Sequence, residues 1–209
     1  MKKLLVALGI ATLSSGAMAQ YTAGTVYQNS ANGHYYQVFT GSVSWNTAFA
    51  YTGSLSYAGY QGHLATVTSQ DENNWLVNAF GGTTLADKVL GGIQAAGSLT
   101  RDSGWSWVNG ETWDYTNWSS GEPNDEFNPT EIGRENALQI KGDVTDGSWN
   151  DLPFTYFPLN GFLVEYSAPL NPTNNAVPEP SEWAVMGLLG AGLLGLVVRG
   201  RKKNLEAAK

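Results

Sequence analysis

Helical patterning stops at Phe80, and that limits the fold of this chain more than any other feature. Before it, Trp75, Leu76, Ala79 and Phe80 return at helical spacing and form one apolar stripe. Ser69, followed three residues on by Glu72, is a capping-box pattern that starts this helix. An earlier helix opens at Ser44-Trp45-Asn46-Thr47-Ala48, with Ser44 as its N-cap. The aromatic and β-branched run at 33–39 and the short run at 62–67 read as strands. After Phe80, a strand-like segment at 89–93 leads into residues 97–128, which are rich in glycine, tryptophan and turn residues and show no helix. Segments 137–140 and 161–166 read as closing strands. Two early helices, then a long loop region bracketed by strands, predict an α+β domain.

The chain contains no cysteine, which excludes disulfides, thiolate metal sites and cysteine nucleophiles. Its 209 residues suffice for one ordinary domain plus processing segments. Between positions 20 and 178, four basic residues (Lys88, Arg101, Arg134 and Lys141) stand against fifteen acidic ones, a balance of −11. Such a surface repels phosphate backbones, so nucleic acid is excluded as a partner; it suits a divalent cation, or solubility alone. The two histidines, His34 and His63, lie in strand-like segments and read as packing residues. Neither a Gly-x-Ser-x-Gly nor a His-Glu-x-x-His pattern occurs, and the expectation is a binding protein rather than an enzyme. Trp105, Trp107, Trp113 and Trp118 read either as a sugar-stacking face or, more simply, as core and loop anchors.

Both ends read as addresses. Lys2-Lys3, an apolar stretch from Leu4 to Leu13, and Ala17-Met18-Ala19 form a secretory signal peptide at 1–19. Residues 20–168 are the domain, and the Pro/Asn-rich stretch at 169–177 is a linker. The segment 178–203 begins with Pro178-Glu179-Pro180. It continues through an apolar run from Trp183 to Val198 and ends in Arg199, Arg201, Lys202 and Lys203, before a short tail at 204–209. A run of sixteen is short for a span, which needs roughly 20 residues. This segment resembles the PEP-CTERM sorting signal. The resemblance implies export, transient membrane insertion, cleavage by an exosortase, and a cell-envelope or extracellular destination in an exopolysaccharide setting. A permanent single-span anchor is the other reading of the same segment.

Within the domain, several motifs follow one another in order. They are Ser44 to Ala48, Gly62-His63-Leu64-Ala65-Thr66-Val67-Thr68-Ser69-Gln70-Asp71-Glu72-Asn73, Gly121-Glu122-Pro123-Asn124, Glu135-Asn136-Ala137, Trp149-Asn150-Asp151 and Phe162-Leu163-Val164-Glu165. Together they resemble the C-type-lectin-like domain over residues 33–167. The resemblance implies a fold of two helices, antiparallel strands and a long loop region. It also implies a sugar-binding Ca2+ held by Glu122, Asn124, Glu135, Asn150 and Asp151, which would contact the sugar as well. Calcium takes six to eight oxygen ligands, which these side chains supply. A cis bond at Pro123 would turn its two neighbours toward one point. Glu-Pro-Asn resembles the mannose/glucose/fucose type of site, and the Gln-Pro-Asp of galactose-type sites is absent. Glu126 and Glu131 compete with Glu135 as ligands, and Asp125 suits an auxiliary ion. Where the family carries disulfide cysteines this chain has Ala137, Phe154, Val164 and a residue near Thr52. The expected function is therefore calcium-dependent binding of a glycan or exopolysaccharide. The alternative is a protein-binding or structural matrix role on the same fold.

Overall fold

The computed structural model describes residues 21–126 and 134–168. The expected signal peptide, linker, C-terminal sorting segment and tail lie outside the described residues, as does Glu131. No helix among the described residues is long and apolar enough to cross a membrane.

The two expected helices form where their caps place them. Helix α1 spans Trp45–Thr52, and the Ser44 hydroxyl accepts from the Thr47 N–H at 3.3 Å. Helix α2 spans Gln70–Phe80, and Ser69 accepts from the Glu72 N–H at 3.2 Å. The capping box is half used. The Glu72 carboxylate accepts from the Thr68 N–H at 2.7 Å and from the Tyr36 hydroxyl, so a tertiary contact has drawn it inward. A short third helix, α3, follows at Gly82–Leu85, in addition to the two expected. It is one turn of Gly-Thr-Thr-Leu with no side-chain cap. It has no periodicity to read, and burial of Leu85 fixes it.

The strands are β1 (Thr22–Gln28), β2 (Tyr35–Thr40), β3 (Ser56–Tyr57), β4 (Tyr60–Leu64), β5 (Val89–Gln94), β6 (Trp105–Trp107), β7 (Ala137–Ile140), β8 (Trp149–Leu152) and β9 (Phe162–Tyr166). Along the sheet the order is β1-β2-β9-β5-β7-β8, with β4 also on β9 and β6 on β5. Pairing is antiparallel except between β5 and β9, which meet in parallel at Val89 and Phe162. Strands β1, β3, β6 and β8 extend the expected set. Strand β1 is exposed along most of its length and shows no alternation, whereas Trp-Ser-Trp in β6 alternates over only three residues.

Side chains of β9 point alternately to opposite faces, as a strand requires. Leu163 enters a cluster with Leu76 of α2, Trp105, Trp107, Leu138 and Trp149. Phe162, Val164 and Tyr166 enter another with Trp45 and Ala48 of α1. Each fully buried Leu- or Phe-sized side chain contributes about 1.5–3 kcal/mol. Strand β5 lies between the two clusters and is buried at every position. A Cβ at Gly91 would lie 2.7 Å from the Leu64 carbonyl oxygen, and one at Gly92 2.7 Å from Leu138 Cδ2, so only glycine fits either position.

The positions expected to hold cysteines are filled by packing. Ala137 and Val164 are buried in the second cluster, Phe154 packs against it, and Thr52 is buried nearby.

Candidate functional site

The site begins at Trp149, which is completely buried. Its N–H donates to the Asn117 carbonyl at 2.7 Å, and its carbonyl accepts from the Ser119 N–H at 2.9 Å. These bonds tie the loop at 117–119 to the start of β8. Trp113 and Trp118 stack on the same cluster as Trp105, Trp107 and Trp149, with the Trp107 and Trp113 rings 4.4 Å apart. Of the two readings of these tryptophans, the structure therefore supports anchors. They hold one wall of the loop region rigid.

From Ser119 the chain turns, with the Glu122 N–H donating to the Ser119 carbonyl at 3.0 Å. The Glu122–Pro123 bond is cis, as the turn reading expects. Asp151 of β8 then receives the loop. Its two carboxylate oxygens accept from the N–H groups of Asn124 at 3.0 Å and Asp125 at 3.1 Å. Asp125 has φ 50°, a left-handed conformation that aspartate tolerates better than most residues. Its carboxylate accepts from the Glu135 N–H at 3.0 Å. Glu135 in turn accepts from the Glu126 N–H at 2.7 Å, a donor that Asn124 Oδ1 shares at 2.6 Å.

Three of the five expected ligands, Asn124, Glu135 and Asp151, thus meet in one hydrogen-bonded knot. Glu122 stands beside it, with Oε1 3.1 Å from Lys141 Nζ and Oε2 buried without a hydrogen-bond partner. Asn150 neighbours Asp151 on β8, and its amide group donates to the Asp151 carbonyl. Of the competing acids, Glu126 contributes its backbone N–H while the residue is exposed. Asp125, expected only at an auxiliary position, is buried at the centre. Arg101 Nε lies 3.8 Å from its carboxylate.

The electrostatics follow from this crowding. Burial, then the charges of Asp151, Asp125 and Glu122, push the Glu135 carboxyl up to about 8, against the Glu126 N–H bond. Burial also pushes Asp151 up to about 6, with the N–H groups of Asn124 and Asp125 opposing and the Glu122 charge adding. Carboxylates gathered in a poorly solvated place favour a proton or a cation. The carboxylates of the knot and the Asn124 Oδ1 offer oxygen, the ligand type of a hard cation such as calcium.

A second polar cluster escaped the sequence reading. His34, Glu72 and Glu165 place ligand-type atoms within 4.8 Å of one another, the one such group of three among the described residues. His34 Nδ1 is 2.7 Å and His63 Nε2 4.0 Å from Glu165 Oε1, while Thr66 donates twice to Glu165 Oε2. Burial works to raise the Glu165 carboxyl, but His63 and His34 hold it below the ordinary value. The bond to Glu165 raises the His34 imidazole. Both histidines are therefore partners of one buried acid and tie β4 and the turn before β2 to β9. The apolar run of β9 was the available signal, because a strand buried at every position places Glu165 inside, where it needs a partner.

The comparisons with known proteins agree with the fold. The PEP-CTERM protein-sorting motif matches residues 176–202, close to the expected 178–203. The mouse protein C-type lectin domain family 4 member G is 32% identical over 54% of this chain and 33% of its own length. Halomucin from Haloquadratum walsbyi is 30% identical over 65% of this chain and 1% of its own. The chain thus spans a third or less of these relatives. The mouse scavenger receptor C-type lectin carbohydrate-recognition domain superposes with a TM-score of 0.50 at 20% identity, covering 73% of this chain and 98% of that one. The described domain has the C-type-lectin-like fold, in a chain that carries a PEP-CTERM protein-sorting motif.

Proposed function

We propose that the domain binds carbohydrate through a calcium ion held by Glu122, Asn124, Glu135, Asn150 and Asp151, with Asp125 supporting them from within. The observation that carries this reading is the knot of buried carboxylates around Glu135 and Asp151, together with the buried, unpartnered oxygen of Glu122. When bound, calcium would supply open coordination positions for two neighbouring sugar hydroxyls. The chain's own acids and amides would accept and donate hydrogen bonds to the same hydroxyls, and charge-assisted bonds of this kind are the stronger ones. The Glu-Pro-Asn sequence supports a mannose/glucose/fucose-type preference. A single shallow site implies weak binding, on the order of millimolar, so useful affinity needs several copies.

The lectin relatives support a binding role rather than catalysis. The sorting motif supports an exported protein handled by an exosortase, with an envelope or matrix glycan, such as an exopolysaccharide, as its partner. A second reading, protein binding or a structural matrix role without metal, is favoured by one contact: Lys141 already supplies positive charge to Glu122.

Calorimetric titration of chelator-treated protein with calcium separates the two readings, with Asp151→Ala alongside. Micromolar-to-millimolar binding that the variant loses by tenfold or more is expected. A calcium-loaded glycan array then identifies the sugar. A folded protein that binds no calcium moves the assignment to the metal-free role.

A further inference from the structure

The acidic domain places its few cations unevenly. Of the four lysine and arginine residues among those described, Lys88 is buried against the Ala86 carbonyl. The other three adjoin the candidate site: Arg101 lies near Asp125, Arg134 precedes Glu135, and Lys141 reaches Glu122. Lys141 Nζ lies 3.1 Å from Glu122 Oε1, and Arg101 Nε 3.8 Å from Asp125 Oδ2. The Lys141 backbone is pinned, since its N–H donates to the Ser148 carbonyl at 2.9 Å. The Glu122 side chain is 4% exposed and that of Lys141 27%, so the ammonium approaches an almost buried carboxylate from the solvent side.

We propose that Lys141 is the internal counter-cation of this site: it neutralises Glu122 in the metal-free protein and competes with calcium for it, so that Lys141 sets the calcium affinity. The inference rests on the calcium reading above. An ammonium is a compact point charge on a flexible stem, so it can withdraw where a rigid group would block entry. After withdrawal it still repels the ion. A unit charge about 6 Å from a dication in a water-like medium weakens binding about tenfold. The same contact explains how buried acids coexist in the metal-free site, because one of them already has its positive partner.

The test titrates calcium by calorimetry into the full-length protein and its Lys141→Met, Lys141→Gln and Lys141→Arg variants, after chelator treatment. Thermal unfolding in chelator and in calcium is read in parallel. Lys141→Met and Lys141→Gln should bind calcium about tenfold more tightly, and calcium should raise their unfolding temperature more than that of the parent. Lys141→Arg, which keeps the charge, should stay near the parent. A parent that binds nothing while Lys141→Met binds would uphold the lysine's role and overturn calcium dependence in the natural chain. A parent that binds calcium, with folded Met and Gln variants of equal or weaker affinity, overturns the role of Lys141 and leaves the calcium site standing. If neither parent nor variants bind, both readings fall.

Discussion

Glu135 has a proton affinity that its surroundings impose and a metal would relieve. Its folded carboxyl titrates near 8 rather than near the ordinary 4.5, so between those values the folded state holds a proton that the unfolded chain has lost. Stability then falls as pH rises through that window. Asp151, raised to about 6, adds to the lower part of the same fall. His34, whose value is raised by Glu165, also loses its contribution as pH rises through its folded value, so wild-type data alone mix the two sources. Comparison with Glu135→Gln separates them. In chelator, the unfolding temperature of the wild type should drop from pH 5 to pH 8, and that of Glu135→Gln should drop less. With calcium the wild-type decline should shrink, because the ion replaces the proton. Equal slopes in chelator for wild type and variant would mean that the proton resides elsewhere. At this scale the sequence was readable where geometry is written in neighbours, as in the cis turn at Glu122-Pro123-Asn124. It was opaque where the contact is tertiary. Asp125 becomes central only because its backbone turns left-handed and hands its carboxylate to the Glu135 N–H. Lys141 matters only because the strands carry it to Glu122, nineteen positions away.

Among the elements, those that announce themselves are the ones with caps and long enough periods. Helix α2 carries both: Ser69 at its start and, within its eleven residues, an apolar stripe from Trp75 to Phe80. Removing the cap by Ser69→Ala leaves the Glu72 N–H without its acceptor and should cost about 1 kcal/mol, read as a lower midpoint in urea unfolding with an unchanged slope. A wild-type midpoint in the variant would show that the Glu72 side chain, already bonded to Thr68 and Tyr36, fixes the helix start by itself. Elements without such signals were missed for physical reasons. Strand β1 gains its order from backbone pairing with β2, a contact that leaves no hydrophobic pattern. Helix α3 has a single turn, and β6 has three residues, below the length at which a period can be distinguished from chance.

Over the whole molecule, apolar contact replaces covalent closure and charge is left as the adjustable quantity. The two faces of the sheet bury clusters that meet across β5, so the fold closes without cysteine. Between positions 20 and 178, four basic residues stand against fifteen acidic ones, a balance of −11. On the proposed reading, calcium approaching the site would gain from two sources with different reach. The carboxylates of the knot act at contact distance, where salt screens little. The remaining acids act from farther away, and their attraction decays over a Debye length of about 10 Å at 0.1 M salt and about 3 Å at 1 M. Raising sodium chloride from about 0.05 M to about 1 M should therefore weaken calcium binding severalfold, on the order of three- to tenfold, without abolishing it. Calorimetry at the two salt concentrations reads the effect directly. An affinity unmoved by salt would assign the whole of calcium binding to the knot and its lysine. A complete loss at high salt would instead mean that the ion is held by the diffuse field of the domain, with no formed site beneath it.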